Sequence, residues 1–163
     1  EKYCLDYLQN SKDLDCTAAL QIFTESLKAS LSLPEELQQT YWSILLAKSE
    51  EVVQSPFFVE THGSIISKLI KLEEFRVNEE TIWDRLVEWS AAALQKPELL
   101  GPFAAAMGSG EVAQHDAILR LMSPYIRFTQ MRKDFFVDKV REHLDRRQSE
   151  RVMDCFLLNR NSE

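Results

Sequence analysis

The sequence predicts an all-α protein, on three observations. Apolar residues recur at helical spacing through almost the whole of the 163 residues, with several short helices each bounded by a capping residue or a proline. No run of alternating β-branched residues is long enough for a sheet strand. Four glycines leave little for tight turns or phosphate-cradling loops. Eight or so short helices joined by short turns are expected to pack as successive antiparallel pairs, either in a compact bundle or in an elongated stack in which each pair buries its face on the next, within one domain spanning residues 1–163.

The first helix is expected over about 1–12, with Tyr3, Cys4, Tyr7 and Leu8 on one face. Asp15 reads as an N-cap for a second helix, in which Cys16, Ala19, Leu20, Phe23 and Leu27 recur with a period near 3.6 and which ends around Ser30. Ser32 is expected to cap a third helix carrying Pro34 in its first turn, then Glu35 and Glu36 where the dipole favours anions. Leu37, Tyr41, Trp42, Ile44 and Leu45 point it toward a core. After residues 50–54, Ser55-Pro56 interrupts the pattern ahead of Phe57 and Phe58, and His62-Gly63 breaks it again. Ser64 opens a short apolar helix of Ile65, Ile66, Leu69, Ile70 and Leu72 that ends in Glu73 and Glu74. Phe75-Arg76-Val77 is extended. Asn78 then caps a helix starting Glu79, Glu80 and burying Ile82, Trp83, Leu86 and Trp89, until Pro97 stops it.

Residues 97–110 hold two of the five prolines and three of the four glycines. They read as the start of a flexible loop insertion over 97–114, with a turn of helix at 103–107. Helical pattern resumes at Glu111 with Val112, Ile118, Leu119 and Met122, and stops at Ser123-Pro124. Tyr125-Ile126-Arg127-Phe128 is too short and apolar to stay exposed. Two last helices follow, from Lys133 to about Arg146 with Phe135, Phe136, Val140 and Leu144 inward, and over about 149–158 with Val152, Met153, Phe156 and Leu157 inward.

A formal charge of −7 argues against a general nucleic-acid binder. The charge is uneven: residues 100–163 carry 10 Lys/Arg against 9 Asp/Glu, net +1, and residues 1–99 carry 9 against 17, net −8. Locally basic helix faces in the last third, with Arg132, Lys133, Lys139, Arg141, Arg146, Arg147 and Arg151, are the place where an acidic partner would dock in a helical scaffold. Cys4, Cys16 and Cys155 are widely spaced among apolar neighbours and read as buried thiols of a reducing, intracellular compartment, cytoplasmic with the nucleus as second choice. No apolar run approaches the roughly 20 residues of a membrane span. The chain opens on Glu1 already in helical pattern, an expectation of a piece of a longer protein.

Chemistry finds little support. A nucleophilic triad would draw on His62, His115 or His143, and pairing His143 with Cys155 sets a thiol in an apolar run, a poor setting for a thiolate. No Cys/His cluster has metal-ligand spacing, and the Glu73-Glu74 and Glu79-Glu80 pairs read as helix-end electrostatics. Trp83 and Trp89, six residues apart, are about 120° off one helical line, so one is expected in the core and the other at its border. A non-enzyme with no metal and no cofactor is the expectation.

Several blocks go beyond fold class. Cys4-x-x-Tyr7-Leu8, Asp15-Cys16, the segment 64–72 followed by Phe75-Arg76-Val77-Asn78-Glu79, Ile82-Trp83 with Trp89, and Ile126-Arg127-Phe128 with Met131 and Phe135-Phe136 occur in one order. That order resembles the BACK domain, the helical module that follows a BTB domain in BTB-kelch proteins. The resemblance implies a non-catalytic stack of helical hairpins in a substrate adaptor of a cullin-RING E3 ubiquitin ligase. There an upstream BTB domain dimerises and grips the cullin, and a downstream kelch or other domain takes the substrate. It further implies a 3-box helix pair over 1–29, whose Tyr3, Tyr7, Leu8, Leu14, Leu20 and Phe23 would form a cullin-facing groove. Two departures stand out: Lys12 occupies a position often held by leucine, with Lys12-Asp13-Leu14-Asp15 as the turn, and the 97–114 segment is longer than the usual link. Both leave the core pattern intact.

Overall fold

Helix boundaries in this protein are set by capping side chains and prolines, and the core by one long central helix. The computed structural model describes residues 15–106 and 111–159, and no strand occurs among the described residues. Asp15 starts α1 (Cys16–Lys28): its carboxylate accepts from the Ala18 N–H at 2.7 Å, satisfying a donor that the first helical turn leaves unpaired. Ala19, Leu20 and Phe23 bury one face. The helix closes with Ser30 in the left-handed region, φ 54°, while the Ser30 N–H donates to Leu27 O at 3.1 Å and the Leu31 N–H to Ser26 O at 2.8 Å. This is the paired-bond ending usually built on glycine, and with serine it costs about 1 kcal/mol.

α2 (Glu35–Ala47) starts differently from expectation. Pro34 itself is the N-cap, with no side-chain cap bond, and Ser32 lies outside the helix. Having no N–H, proline leaves no donor to satisfy there. Leu37, Tyr41 and Leu45 are buried, while Trp42 and Ile44 lie at the edge of the stripe and pack partly. Tyr41 meets Phe23 edge-on at 5.6 Å, and its fully buried hydroxyl has no hydrogen-bond partner among the described residues. Burial also pushes that phenol's pKa up. An unsatisfied buried hydroxyl is a net cost, so Tyr41→Phe is expected to stabilise the fold by about 1 kcal/mol, seen as a higher denaturant midpoint at unchanged slope.

α3 (Ser49–Gln54) ends at Ser55, whose Oγ accepts from the Phe57 N–H at 3.2 Å and starts the 3₁₀ turn Pro56–Glu60. Arg85 reaches in from a later helix and donates to Val53 O and Ser55 O, both at 2.8 Å, capping the carbonyl end of α3. α4 (Gly63–Lys71) opens one residue before the expected Ser64, because the His62 imidazole is the cap: Nδ1 accepts from the Ser64 N–H at 3.2 Å. A Cβ on Gly63 would sit 2.5 Å from the Leu100 carbonyl oxygen, and Gly101, at φ 53°, leaves the His62 ring no room for one. Both glycines are therefore required where α4 crosses the 97–106 segment.

α5 (Glu79–Gln95) starts at Asn78, whose Oδ1 accepts from the N–H groups of Glu80 and Thr81 at 2.9 and 3.3 Å, and stops before Pro97. It contacts α3, the Pro56–Glu60 turn, the turn Pro97–Leu99 and α6 (Glu111–Met122). A helix surrounded in this way buries more than one stripe. Trp83 and Trp89 are both fully buried, correcting the expectation that one would border the core, and each finds a carbonyl: Trp83 Nε1 donates to Lys139 O at 3.2 Å and Trp89 Nε1 to Thr61 O at 2.7 Å.

Part of the 97–114 segment, expected from its composition to be a flexible loop insertion, is folded into turns against the core over residues 97–106. Pro97–Leu99 and Gly101–Ala106 are 3₁₀ turns, Leu99, Leu100 and Phe103 are buried, and Phe103 meets Trp89 edge-on at 5.7 Å. Its last residues, from Glu111, already belong to α6.

The next expected helix is broken rather than continuous. α7 (133–143) consists of Lys133–Phe135, a π-helical Phe136–Val140 and a 3₁₀ turn Arg141–His143. It buries Phe136 and Val140, whereas Phe135 packs only partly. Leu144 is extended, and α8 (Arg146–Asn159) starts earlier than expected because Asp145 and Gln148 cap each other reciprocally, at 2.8 and 3.3 Å. On α8, Phe156 packs against Phe136 at 5.6 Å, but Leu157 is exposed, contrary to expectation. Cys155 is exposed too, and only Cys16 among the described cysteines is buried.

Candidate functional site

Phe23, on the buried stripe of α1, lies between Tyr41 and Trp42 of α2, with ring centroids 5.6 and 5.1 Å away. One turn on, Leu27 is 40% exposed, and the left-handed Ser30 throws Leu31 outward to 66% exposure. Gln38 Nε2 donates to Leu33 O at 2.7 Å and holds the α1–α2 connection against α2. α4 closes the other side with Ser64, Ile65 and Lys68. Together these residues enclose a pocket of about 260 Å³ that is leucine-rimmed, aromatic-floored and, among the described residues, free of Asp and Glu. Lys68 Nζ stands 4.1 Å from the centre of the Trp42 ring, a cation held over an aromatic face. The Ser26 hydroxyl donates to Phe23 O at 2.8 Å and is spent on the helix. Such a lining can hold an apolar side chain but provides no proton shuttle and no activated nucleophile.

Of the expected groove residues, Leu20 is sealed in the core and Phe23 forms part of the pocket floor. Tyr3, Tyr7, Leu8 and Leu14 lie outside the described residues, as does the helix expected over 1–12. Leu31, Leu33 and Lys68 were missed by the sequence reading. The signal for Leu31 was faint: a leucine just past the end of a helix with no core position left for it.

A second concavity of about 410 Å³ lies between α5, α6 and α7, lined by Leu94, Gln95, Gln114, His115, Asp116 and His143, among others. His143 Nδ1 binds Asp116 Oδ1 at 2.9 Å, the His115 and His143 rings are 5.5 Å apart, and His115 Nδ1 binds Ser90 Oγ at 3.0 Å. The last contact looks like a serine and its base, but the proton count runs the other way. Ser90 donates its one proton to Val87 O at 2.9 Å, so the imidazole must be the donor to Oγ. This Ser–His pair is a structural bridge. His143 engages Asp116 rather than Cys155. Among the described residues no group of three His, Cys, Asp or Glu side chains is arranged to hold a metal ion, and no helix is long and apolar enough to cross a membrane.

Burial holds the pKa of His115 below the ordinary imidazole value, helped by the neighbouring His143 and opposed by Asp116. Burial, with Lys28 nearby, does the same to His62. In both cases the folded state resists a proton that the unfolded chain accepts. Stability should therefore be flat with respect to these groups above pH of about 6.5 and fall as pH drops below it. Urea midpoints measured from pH 8 to 5 check this, and His115→Gln should flatten part of the slope.

The Glu79-Glu80 pair, expected only to favour a helix start, also clamps the chain in three dimensions. Glu79 is 4% exposed and accepts from the Arg127 N–H at 3.2 Å and from the Arg127 guanidinium. Glu80 accepts from the Arg132 N–H at 2.7 Å and from its guanidinium at 3.2 Å, and these bonds lower the pKa of its carboxyl. The chemistry at this face is positional. Comparison with protein-family models, with curated proteins and with solved structures found no match.

Proposed function

We propose that this chain is a non-catalytic spacing and interaction module of the BACK kind, in an intracellular BTB-containing substrate adaptor of a cullin-RING E3 ubiquitin ligase. One observation carries the reading: the two sequence blocks most responsible for the resemblance, 64–89 and 126–136, pack on each other. Arg127 of the Ile126-Arg127-Phe128 block binds Glu79, and Phe128 meets Trp83 edge-on at 5.7 Å. The shared residues thus make core and clamp, as a rigid spacer requires, and the hairpin stack is the architecture that goes with it. Cullin contact in this reading comes from an upstream BTB domain and the 3-box, with Tyr3, Tyr7, Leu8 and Leu14 as its groove, dimerisation from the BTB domain, and substrate from another domain.

The test is the affinity of a cullin N-terminal fragment for the full-length parent and for its Tyr7→Asp and Leu8→Asp variants. Deleting residues 1–29 is a poorer probe, since it strips Ala19, Leu20 and Phe23 from the core. Weaker binding by folded variants supports the reading, and no binding by the parent overturns it.

A second reading, a helical scaffold outside ubiquitin ligation, draws on the exposed Arg146, Arg147 and Arg151 of α8 as a dock for an acidic partner. Arg146 already pairs with Glu150 at 2.7 Å, which reduces the free charge of that face. Steep loss of partner binding with added salt would favour it.

A further inference from the structure

We propose that the pocket between α1, α2 and α4 docks an acidic segment of a partner protein. One leucine or aromatic side chain of that segment enters between Leu27, Leu31 and Trp42, and a carboxylate one or two positions away rests on Lys68. The proposal does not depend on whether the parent serves a ubiquitin ligase.

Three observations carry it. Two large leucines stand 40% and 66% exposed at the mouth of a preformed apolar pocket, the second of them just past the left-handed Ser30 that ends α1. The volume of about 260 Å³ suits one or two bulky side chains rather than a whole helix. The charge is selective: in a chain of net −7 the lining contains, among the described residues, no Asp or Glu and one Lys. Lys28, Lys48 and Lys96 each have a carboxylate within 3.0–3.2 Å, whereas Lys68 stands over a ring and pairs with no carboxylate among the described residues. Trp42 adds a second unused donor. The indoles of Trp83 and Trp89 both bond to carbonyls, and that of Trp42 has no acceptor among the described residues. A carboxylate beside an apolar anchor answers both features. A second copy of the chain does not, because a two-fold contact brings this face against itself, and its described lining has no Asp or Glu to meet Lys68.

The probe is a fluorescein-labelled twelve-residue peptide with a central Leu-Glu-Glu-Leu in a Gly/Ser background, titrated into the whole 163-residue chain and followed by anisotropy and by the ¹⁵N–¹H shift of the Trp42 indole. Saturable binding that moves the Trp42 signal is expected. Leu31→Asp should weaken it about tenfold or more, the loss of one buried leucine contact. Lys68→Gln should weaken it about threefold and reduce its salt dependence. Both side chains are exposed, so circular dichroism and urea midpoints should match the parent. A peptide with Gln for both Glu residues that binds equally well would overturn the carboxylate assignment. No saturation by about 1 mM peptide would overturn the site. Concentration-dependent dimerisation abolished by Leu31→Asp would overturn the partner in favour of a second copy.

Discussion

Trp89→Ala should cost about 4 kcal/mol of folding stability, the largest effect expected of a single substitution here. The indole is fully buried on the central helix, meets Phe103 edge-on at 5.7 Å, and donates from Nε1 to Thr61 O at 2.7 Å. Alanine removes the packing, leaves a cavity that helices on several sides close only in part, and strands a buried carbonyl. Trp89→Phe separates these contributions. It retains most of the apolar volume but loses the hydrogen bond, so about 2 kcal/mol is expected. Urea unfolding followed by circular dichroism measures both. A loss below about 1 kcal/mol for the alanine variant would mean that α5 is not the centre of the core.

Arg127→Ala should cost about 3 kcal/mol, although its side chain is half exposed and a surface arginine normally contributes little. The difference lies in its partner: Glu79 is buried, and without the guanidinium its carboxylate retains from that segment only the Arg127 main-chain N–H, among the described residues. Arg127→Lys restores a charge but not the planar fork and should recover part of the loss. Removing both ends, Glu79→Ala with Arg127→Ala, should cost less than the sum of the two single losses, because no charge is then left buried and unpaired. Additive costs in that double-mutant cycle would show that the two residues act separately. The same clamp explains why Ile126 and Phe128, in a stretch too short for a helix of its own, remain in the core.

Helix starts were the features best read from the chain. Asp15 and Asn78 cap as expected because a cap is a contract between residues two or three apart, and Pro97 ends α5 by its own covalent geometry. Failures came where a distant residue settles a local choice. His62 caps α4, and Gly63 and Gly101 are obligatory, because the 97–106 segment crosses at contact distance. The glycines and prolines there signalled a loop, but what they permit is a close crossing that buries Leu99, Leu100 and Phe103. Likewise Leu157 and Cys155 share α8 with the packed Phe156, and which side of the helix faces the core depends on where Phe136 stands. The pocket was half legible: Phe23 through its periodicity, Leu31 only faintly and Lys68 not at all, since three helices bring them together.

The sequence by itself determined the all-α class, most helix ends, and most of the residues that fill the core, because periodicity, caps and prolines act within a turn or two of chain. Only the tertiary structure decided that α5 is central and buries both of its tryptophans, that Glu79 and Glu80 are clamps, and that Leu27, Leu31, Trp42 and Lys68 surround one pocket. Those outcomes depend on which helix faces are covered and by what, a matter of contacts between residues roughly 20 to 60 positions apart that no local pattern encodes.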